Sequence, residues 1–251
     1  MKGNAMTTDL SVYQAVMDRD PVRYIDMTEA VRRGIGTVLH ASPTAALVGI
    51  PSPGCPGAFD SYLMSCADMN AARLLCGLIS AGDDFLVAAH EDFYLPLLRE
   101  RFDLDLFLGG PGYQAAYLAH DPCPAPDSTL TIRQLTTDDL PQVADNYKLE
   151  GEDYLRSLLE RGQLFGGFLN DTMIGFAGRH TEGSIGLLEV FPAYRRRGFA
   201  TALEQHMIDQ ELTLGRIPFG QVLTDNAPSL ALQRSLGMTL SNGTLCWLSR
   251  D

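Results

Sequence analysis

Val190-Phe191-Pro192-Ala193-Tyr194-Arg195-Arg196-Arg197-Gly198-Phe199-Ala200-Thr201 is the stretch on which the reading of this chain turns. A strand, Ile185 to Phe191, ends at Pro192, and a helix begins near Gly198, runs to about Leu214 and stops at Gly215. Free N–H groups at a helix start point outward, and the aligned peptide dipoles place roughly half a positive charge there. Gly198 and Ala200 keep the main chain bare, so a diphosphate can lie directly on those amides. Arg195, Arg196 and Arg197 add charge-assisted hydrogen bonds. Taken alone, R-x-x-G-x-A is short, and a solvated basic turn with an ordinary helix cap explains it equally well.

Outward from this loop the pattern is mixed α/β. Leu130 to Leu135 alternates as a strand, and Thr137-Asp138-Asp139-Leu140-Pro141 is a capped helix start. Asp153 to Glu160 continues helical, and strands over Gln163 to Leu169 and Met173 to Arg179 flank the Asn170-Asp171 turn. Phe219 to Leu223 is a strand, Ala227 to Leu236 a helix ended by Gly237, and Thr244 to Leu248 a last strand. Earlier, helices are expected at Asp9 to Met17, Met27 to Arg33, Met69 to Ile79 and Tyr94 to Arg101. Strands are expected at Thr37 to His40, Ala46 to Ile50, Ser61 to Ser65, Phe85 to Ala89 and Gln114 to Leu118. Three prolines in residues 122–126 break helix and strand alike. The chain therefore divides into an N-terminal α/β domain (1–120), a Pro-rich linker (121–128) and a C-terminal domain (129–251), with Pro51 to Gly57 a loop in the first.

With its context, the loop resembles the signature of the GNAT acyltransferase superfamily, Q/R-x-x-G-x-G/A after a strand ending V-x-P. Here it stands as Val190-x-Pro192-x-x-Arg195-x-x-Gly198-x-Ala200. Asn226-Ala227-Pro228-Ser229-Leu230, ending Leu236-Gly237-Met238, is similar to the superfamily's next element, an asparagine opening a helix beside the pantetheine arm. The stretch His180 to Leu188 and the terminal Trp247 resemble its glycine N-acyltransferase-like branch. The resemblance covers about residues 129–251. It implies a mixed central sheet with flanking helices, preceded by a smaller α/β domain whose alternation permits a degenerate copy that shapes the acceptor pocket.

The resemblance further implies that acetyl-CoA, or another acyl-CoA, lies between the strands at 185–191 and 219–223. Main-chain groups of Leu188 and Val190 would meet pantetheine, with Asn226 and Ser229 nearby. Arg195, Arg196, Arg197, Gly198, Phe199, Ala200 and Thr201 would hold the pyrophosphate. A primary amine then attacks the thioester directly, with no metal and no covalent enzyme intermediate. The amine must lose a proton and the thiolate must gain one. Glu182 and His180, just before the cofactor strand, and Glu189 within it are the candidate proton acceptors; a strand cap or a solvent-facing carboxylate explains them as well. Many members place a tyrosine as the thiolate's acid where this chain has Gln233, and an amide cannot give up a proton at neutral pH. Tyr194 or water could serve instead, or the domain could bind CoA without turning it over.

Composition narrows the field. A 251-residue chain that is 45% hydrophobic is globular, and 31 carboxylates against 19 basic side chains give a formal charge of −12. Such a surface repels phosphate backbones, which argues against general nucleic-acid binding. Five cysteines with no C-x-x-C pair suit a reduced compartment, and no run approaches a membrane span, so a cytoplasmic protein is expected. His90-Glu91 begins like a zinc-protease helix, but Tyr94 stands where H-E-x-x-H needs its second histidine. Two function classes remain: an acyl-CoA N-acyltransferase acting on a small-molecule or peptide amine, and a non-catalytic CoA-binding or regulatory protein.

Overall fold

The computed structural model describes residues 10–52, 58–80, 82, 85–107, 110–123 and 129–250. The first elements in chain order are α1 (Leu10–Met17), α2 (Ile25–Arg32), β1 (Thr37–Ser42), β2 (Ala45–Pro51), β3 (Phe59–Cys66) and α3 (Met69–Cys76). They are followed by β4 (Leu86–Ala89), α4 (Leu95–Phe102), β5 (Asp105–Leu106), β6 (Gly112–Ala116) and β7 (Thr131–Gln134). A 3-10 turn (Thr137–Asp139) leads into α5 (Leu140–Asn146), α6 (Glu152–Glu160), β8 (Leu164–Leu169), β9 (Thr172–Arg179) and β10 (Ile185–Val190). A second turn (Pro192–Tyr194) precedes α7 (Phe199–Thr213), β11 (Phe219–Leu223), α8 (Ala227–Ser235) and β12 (Thr239–Ser249). No helix among the described residues is long and apolar enough to cross a membrane.

These elements form two compact units. The first runs to Gln114 and also takes Leu223–Asp225 and Ser241 onward; the second is Ala115–Val222 with Asn226–Leu240. This division differs from the one expected at 121–128, and hydrogen bonds explain why. Tyr117 N donates to Pro218 O at 2.9 Å and Cys123 N to Asp209 Oδ1 at 2.9 Å, tying 117–123 into the second unit. At the other end, Cys246, Trp247 and Leu248 of β12 pair with Ala89, Ala88 and Val87 of β4 in the first. Residues 124–128 of the expected linker, 53–57 of the expected loop and Asp9 lie outside the described residues.

The second unit is a mixed sheet covered on both faces. β7, β8, β9 and β10 pair antiparallel in that order, and β11 joins β10 in parallel. Alternate side chains along a strand face opposite ways, and two cores result. Phe199, Leu203, Met207 and Ile208 of α7 recur at helical spacing and pack with Ile174, Ala177, Ile185 and Val190. Leu140 and Val143 of α5 and Leu155, Leu158 and Leu159 of α6 pack with Met173, Phe176, Leu187 and Phe191. Each such side chain fully buried contributes about 1.5–3 kcal/mol. Thr136 and Asp139 form a capping box ahead of α5, and left-handed glycines follow α7 (Gly215, φ 67°) and α8 (Gly237, φ 78°), as their positions in the sequence predict.

The first unit is also a helix-covered mixed sheet. β1, β2 and β3 are antiparallel neighbours, β4 runs parallel to β3, and β12 closes antiparallel on β4. Cys66, Cys76 and Cys246 are buried within it, and Cys123 in the second unit, all as free thiols. His90, whose neighbour Glu91 completes the failed zinc pattern, is instead the centre of a buried polar network. Its Nε2 lies 2.9 Å from Asp26 Oδ1 and its Nδ1 3.0 Å from Met64 O, with both side chains fully buried. Both ring nitrogens face acceptors, so the imidazole carries both protons opposite the carboxylate.

Burial pulls the His90 proton affinity down, but the charge and hydrogen bond of Asp26, with Glu91 nearby, outweigh it and leave the affinity raised. A raised folded value means that the pair's stabilisation is full below the unfolded histidine value and lost as pH climbs through the folded one. Asp26→Ala should cost about 3–5 kcal/mol because it strands a buried charge, as urea denaturation at neutral pH would measure. It should also flatten the alkaline loss of stability seen in the parent.

Candidate functional site

The site is built where β10 leaves its neighbours. Opposite β9, the register slips between Gly186 and Glu189, and Leu187 takes a left-handed conformation at φ 52°. This is a β-bulge, which bends the strand. On the other side the parallel ladder to β11 is a single pair, Ile185 with Gly220. Beyond that pair, main-chain groups from Gly186 to Val190 are not shared with β11, which provides the gap predicted between 185–191 and 219–223. Two glycines permit the approach. A Cβ on Gly175 would stand 2.4 Å from Glu189 O, and one on Gly220 2.7 Å from Ile185 O.

After β10, Gly198 stands at the N-cap of α7 with φ 79° and offers no side chain to the helix start. The first helical bond is Ala202 N to Gly198 O, so the amides of Phe199, Ala200 and Thr201 precede it. No protein acceptor meets those three amides among the described residues. Nothing lies within 4 Å of a Cβ built on Gly198, so the approach from outside is open. Phe199 itself is buried in the α7 core and offers only its main chain.

The three arginines have different duties. Arg195 donates from Nε to Val190 O and from Nη2 to Glu189, both at 2.8 Å, clamping the loop to the end of β10. Its exposed ion pair with Glu189 contributes at most about 1 kcal/mol, but together the two bonds set the side chain's direction. Arg197 lies over the Phe199 ring at 4.8 Å, and Arg196 is exposed with φ 63°. Arg196 and Arg197 are thus the guanidinium groups not committed to a carboxylate. Glu189, a candidate base by sequence, has its carboxylate on Arg195.

Asn226, exposed, caps α8 by accepting from the half-buried Ser229 N at 3.1 Å. Gln233 is buried on the same helix and donates from Nε2 to Glu204 Oε1 of α7 at 3.2 Å. Burial raises the Glu204 carboxyl's proton affinity, against the pull of that hydrogen bond. The Gln233 amide is thus spent on joining α8 to α7.

Glu182 and His180 do come together, in the tight turn from β9 to β10. His180 N donates to Ser184 O and Gly183 N to His180 O. Glu182 is 6% exposed and accepts from the Ser184 hydroxyl. His180 Nδ1 is 3.0 Å from Tyr154 Oη on α6, with the rings stacked. Burial lowers the His180 proton affinity despite Glu182, leaving a neutral imidazole. Glu150, just before α6, feels Glu182 as well, and burial plus that like charge push it up to about 7. Sequence reasoning missed Glu150 and Tyr154, which stand 26 or more residues away from the turn they meet.

The first unit has the same order of strand, helix and parallel strand in β3, α3 and β4, with different chemistry. β3 and β4 pair continuously from Ser61–Leu86 to Met64–Ala89, leaving no gap. The Asp68 carboxylate caps α3, accepting from Asn70 N and Ala71 N at 2.9 Å each. That cap is worth about 1 kcal/mol and places a negative charge where an anion would have to sit.

Residues 165–248 match the family model described as FR47-like protein. No curated protein matches the chain. A Drosophila protein of known structure superimposes over 96% of this chain and 94% of its own, with a TM-score of 0.66 at 18% identity. A GNAT-family protein from Novosphingobium aromaticivorans covers 92% and 97% (TM-score 0.57, 17% identity). A GCN5-related N-acetyltransferase-like protein from Streptococcus suis covers 95% and 97% (TM-score 0.54, 14% identity). At these identities the shared property is the fold, and it is the GNAT fold that the resemblance over 129–251 implied.

Gly175→Ala tests the geometry of the gap without touching its chemistry. The added methyl meets main chain, which cannot swing aside, so β10 must shift at its bulge. Overpacking of this kind typically costs about 1–3 kcal/mol, visible as a lowered Tm.

Proposed function

We propose that the second unit is an acyl-CoA-dependent N-acyltransferase, moving an acetyl or other short acyl group to a primary amine by direct attack. The observation that supports this most is the pairing of two vacancies, a helix start with three unshared amides and a strand edge left free by a one-pair ladder. The first suits a diphosphate, and the second suits the amide groups of a pantetheine arm running between β10 and β11. Leu188 and Val190 supply that edge; Asn226 and Ser229 stand at the start of α8 on the far side.

On this reading Phe199, Ala200 and Thr201 hold the pyrophosphate through their N–H groups, Arg196 and Arg197 add charge, and Arg195 keeps the loop in place. Fixing the thioester against a strand edge turns attack into an effectively intramolecular step. The turn bearing His180 and Glu182 lies at the start of β10 and supplies the proton-accepting side for the amine. The same turn, with Trp247, favours the glycine N-acyltransferase-like branch.

Gln233 motivates a second reading. With its amide engaged by Glu204, the chain lacks the usual phenolic acid there, as a protein that binds CoA without turnover would. Release of free CoA thiol in the presence of an amine supports the enzyme, and binding without release across a broad amine panel supports the alternative.

Calorimetry with CoA should give one site per chain, because Asp68 and the unbroken β3–β4 ladder close the corresponding place in the first unit. Gly198→Trp should abolish that binding. Its side chain enters open space over the amides, and the left-handed backbone adds strain of only about 1–2 kcal/mol, so the variant should remain folded by circular dichroism. Two sites per chain, or a folded Gly198→Trp that still binds, would refute the assignment.

A further inference from the structure

We propose that His180 donates a hydrogen bond from Nε2 to the carbonyl oxygen of the bound thioester, and that Tyr154 is the positioning residue that keeps the proton on that nitrogen. This rests on the transferase reading and gives the turn between β9 and β10 a duty besides taking a proton.

The course of β10 decides which end of the gap would hold the thioester. The diphosphate's place is the start of α7, beyond the last residue of β10. A pantetheine arm then runs back along the strand from Val190 towards its first residues. The gap closes at the single pair of Ile185 with Gly220. Gly186 is the first residue past that pair, and from Val190 to Gly186 the strand spans about 13 Å. The reacting end of the arm therefore lies at Gly186.

The His180 imidazole occupies the place above this glycine. A Cβ built on Gly186 would stand 2.6 Å from Nε2 and 2.8 Å from Cδ2, so the ring rests on bare main chain. Its other nitrogen, Nδ1, is 3.0 Å from Tyr154 Oη, and the two rings stack. The His180 amide is held as well, donating to Ser184 O at 2.9 Å. No protein group among the described residues bonds Nε2. The ring is fixed from two sides and presents one open nitrogen over Gly186.

The tautomer follows from the acidity of the two partners. A phenol is a far stronger acid than the N–H of a neutral imidazole, so Tyr154 donates and Nδ1 accepts. The bond at one ring nitrogen sets the state of the other, which leaves the ring proton on Nε2. Burial, with the Glu182 and Glu150 charges nearby, keeps Tyr154 a phenol, and burial keeps the imidazole neutral. A neutral imidazole of this kind has no lone pair to offer but can polarise a carbonyl. Proton acceptance at the turn then falls to Glu182.

As the lone pair of the amine forms the C–N bond, the carbonyl π electrons move onto oxygen, where Nε2–H meets the growing charge. They return to carbon as the C–S bond breaks and its electrons leave on sulfur. One amine proton passes to Glu182, and one proton from solvent reaches the thiolate.

Three readouts test this. In protein labelled with 15N at histidine, the pair of resonances missing from His180→Gln belongs to His180. At neutral pH it should show a bare Nδ1 and a protonated Nε2, and in Tyr154→Phe a mixture of the two tautomers. With bound acetyl-CoA labelled with 13C at the carbonyl, that resonance should move downfield of free acetyl-CoA in the parent. It should do so too in His180→Gln, whose side-chain N–H can replace the donor, but not in His180→Leu. For acetyl transfer to n-butylamine, kcat should fall at least about 100-fold in His180→Leu but only about tenfold in His180→Gln, with acetyl-CoA affinity by calorimetry unchanged. A proton on Nδ1, an unshifted carbonyl in the parent, or equal losses in the two variants would overturn the proposal. If acetyl-CoA binds with a shifted carbonyl yet no amine is acetylated, the transferase reading fails and the hydrogen bond stands. Parental turnover in His180→Leu sinks only the role of His180.

Discussion

At Gly175 the main chains of β9 and β10 approach so closely that a methyl group would overlap the Glu189 carbonyl, and β10 answers with a left-handed residue at Leu187. A non-glycine residue in that conformation costs about 1–2 kcal/mol. The same conformation turns the Leu187 side chain into the core under α5 and α6, where full burial returns about 1.5–3 kcal/mol. The packing term is the larger, and the kink persists. From it follow the early parting of β10 and β11, the free strand edge, and the direction from which α7 starts. A straight β10 would pair on along β11 and leave nowhere for a ligand to lie.

The first unit shows the alternative. Its β3, α3 and β4 have the same order, but the ladder is unbroken and Asp68 satisfies the helix start from within. What differs is a few side chains and one slip of register. The arrangement of strands therefore recurs, whereas the helix start closed by Asp68 in one unit is left open at Gly198 in the other.

Much of this was legible in sequence, because it is written locally. Gly198 after a basic turn, Pro192 ending a strand, and Gly215 and Gly237 after helices each act within a few residues and stand where their chemistry predicts; the helix start read at Thr137 lies one residue past Thr136, which with Asp139 forms the cap. Asn226 likewise caps the helix it was expected to open. That residues from Ser241 onward belong to the first unit was not legible, since pairing of Cys246 with Ala89 leaves no mark at either position. The cluster at the turn from β9 to β10 was half legible: His180 and Glu182 are neighbours in the chain, whereas Tyr154 reaches His180 only when α6 packs on the sheet. The duties of Arg195 and Gln233 were hidden for the same reason, as a side chain's partner is a tertiary fact. No short pattern distinguishes an arginine that binds phosphate from one that clamps a loop.

The contrast between Asp68 and Gly198 also bears on how the binding proposed above would couple to stability. A helix start closed by its own carboxylate needs no ligand as long as that carboxylate stays ionised. A helix start with three amides that no protein group shares would gain from an outside anion, and anything that binds the native state alone shifts unfolding by RT ln(1 + [L]/Kd), about 2.7 kcal/mol at a hundredfold excess over Kd. If the second unit binds CoA as proposed, its thermal resistance and its lifetime against proteases rise with the concentration of that ligand.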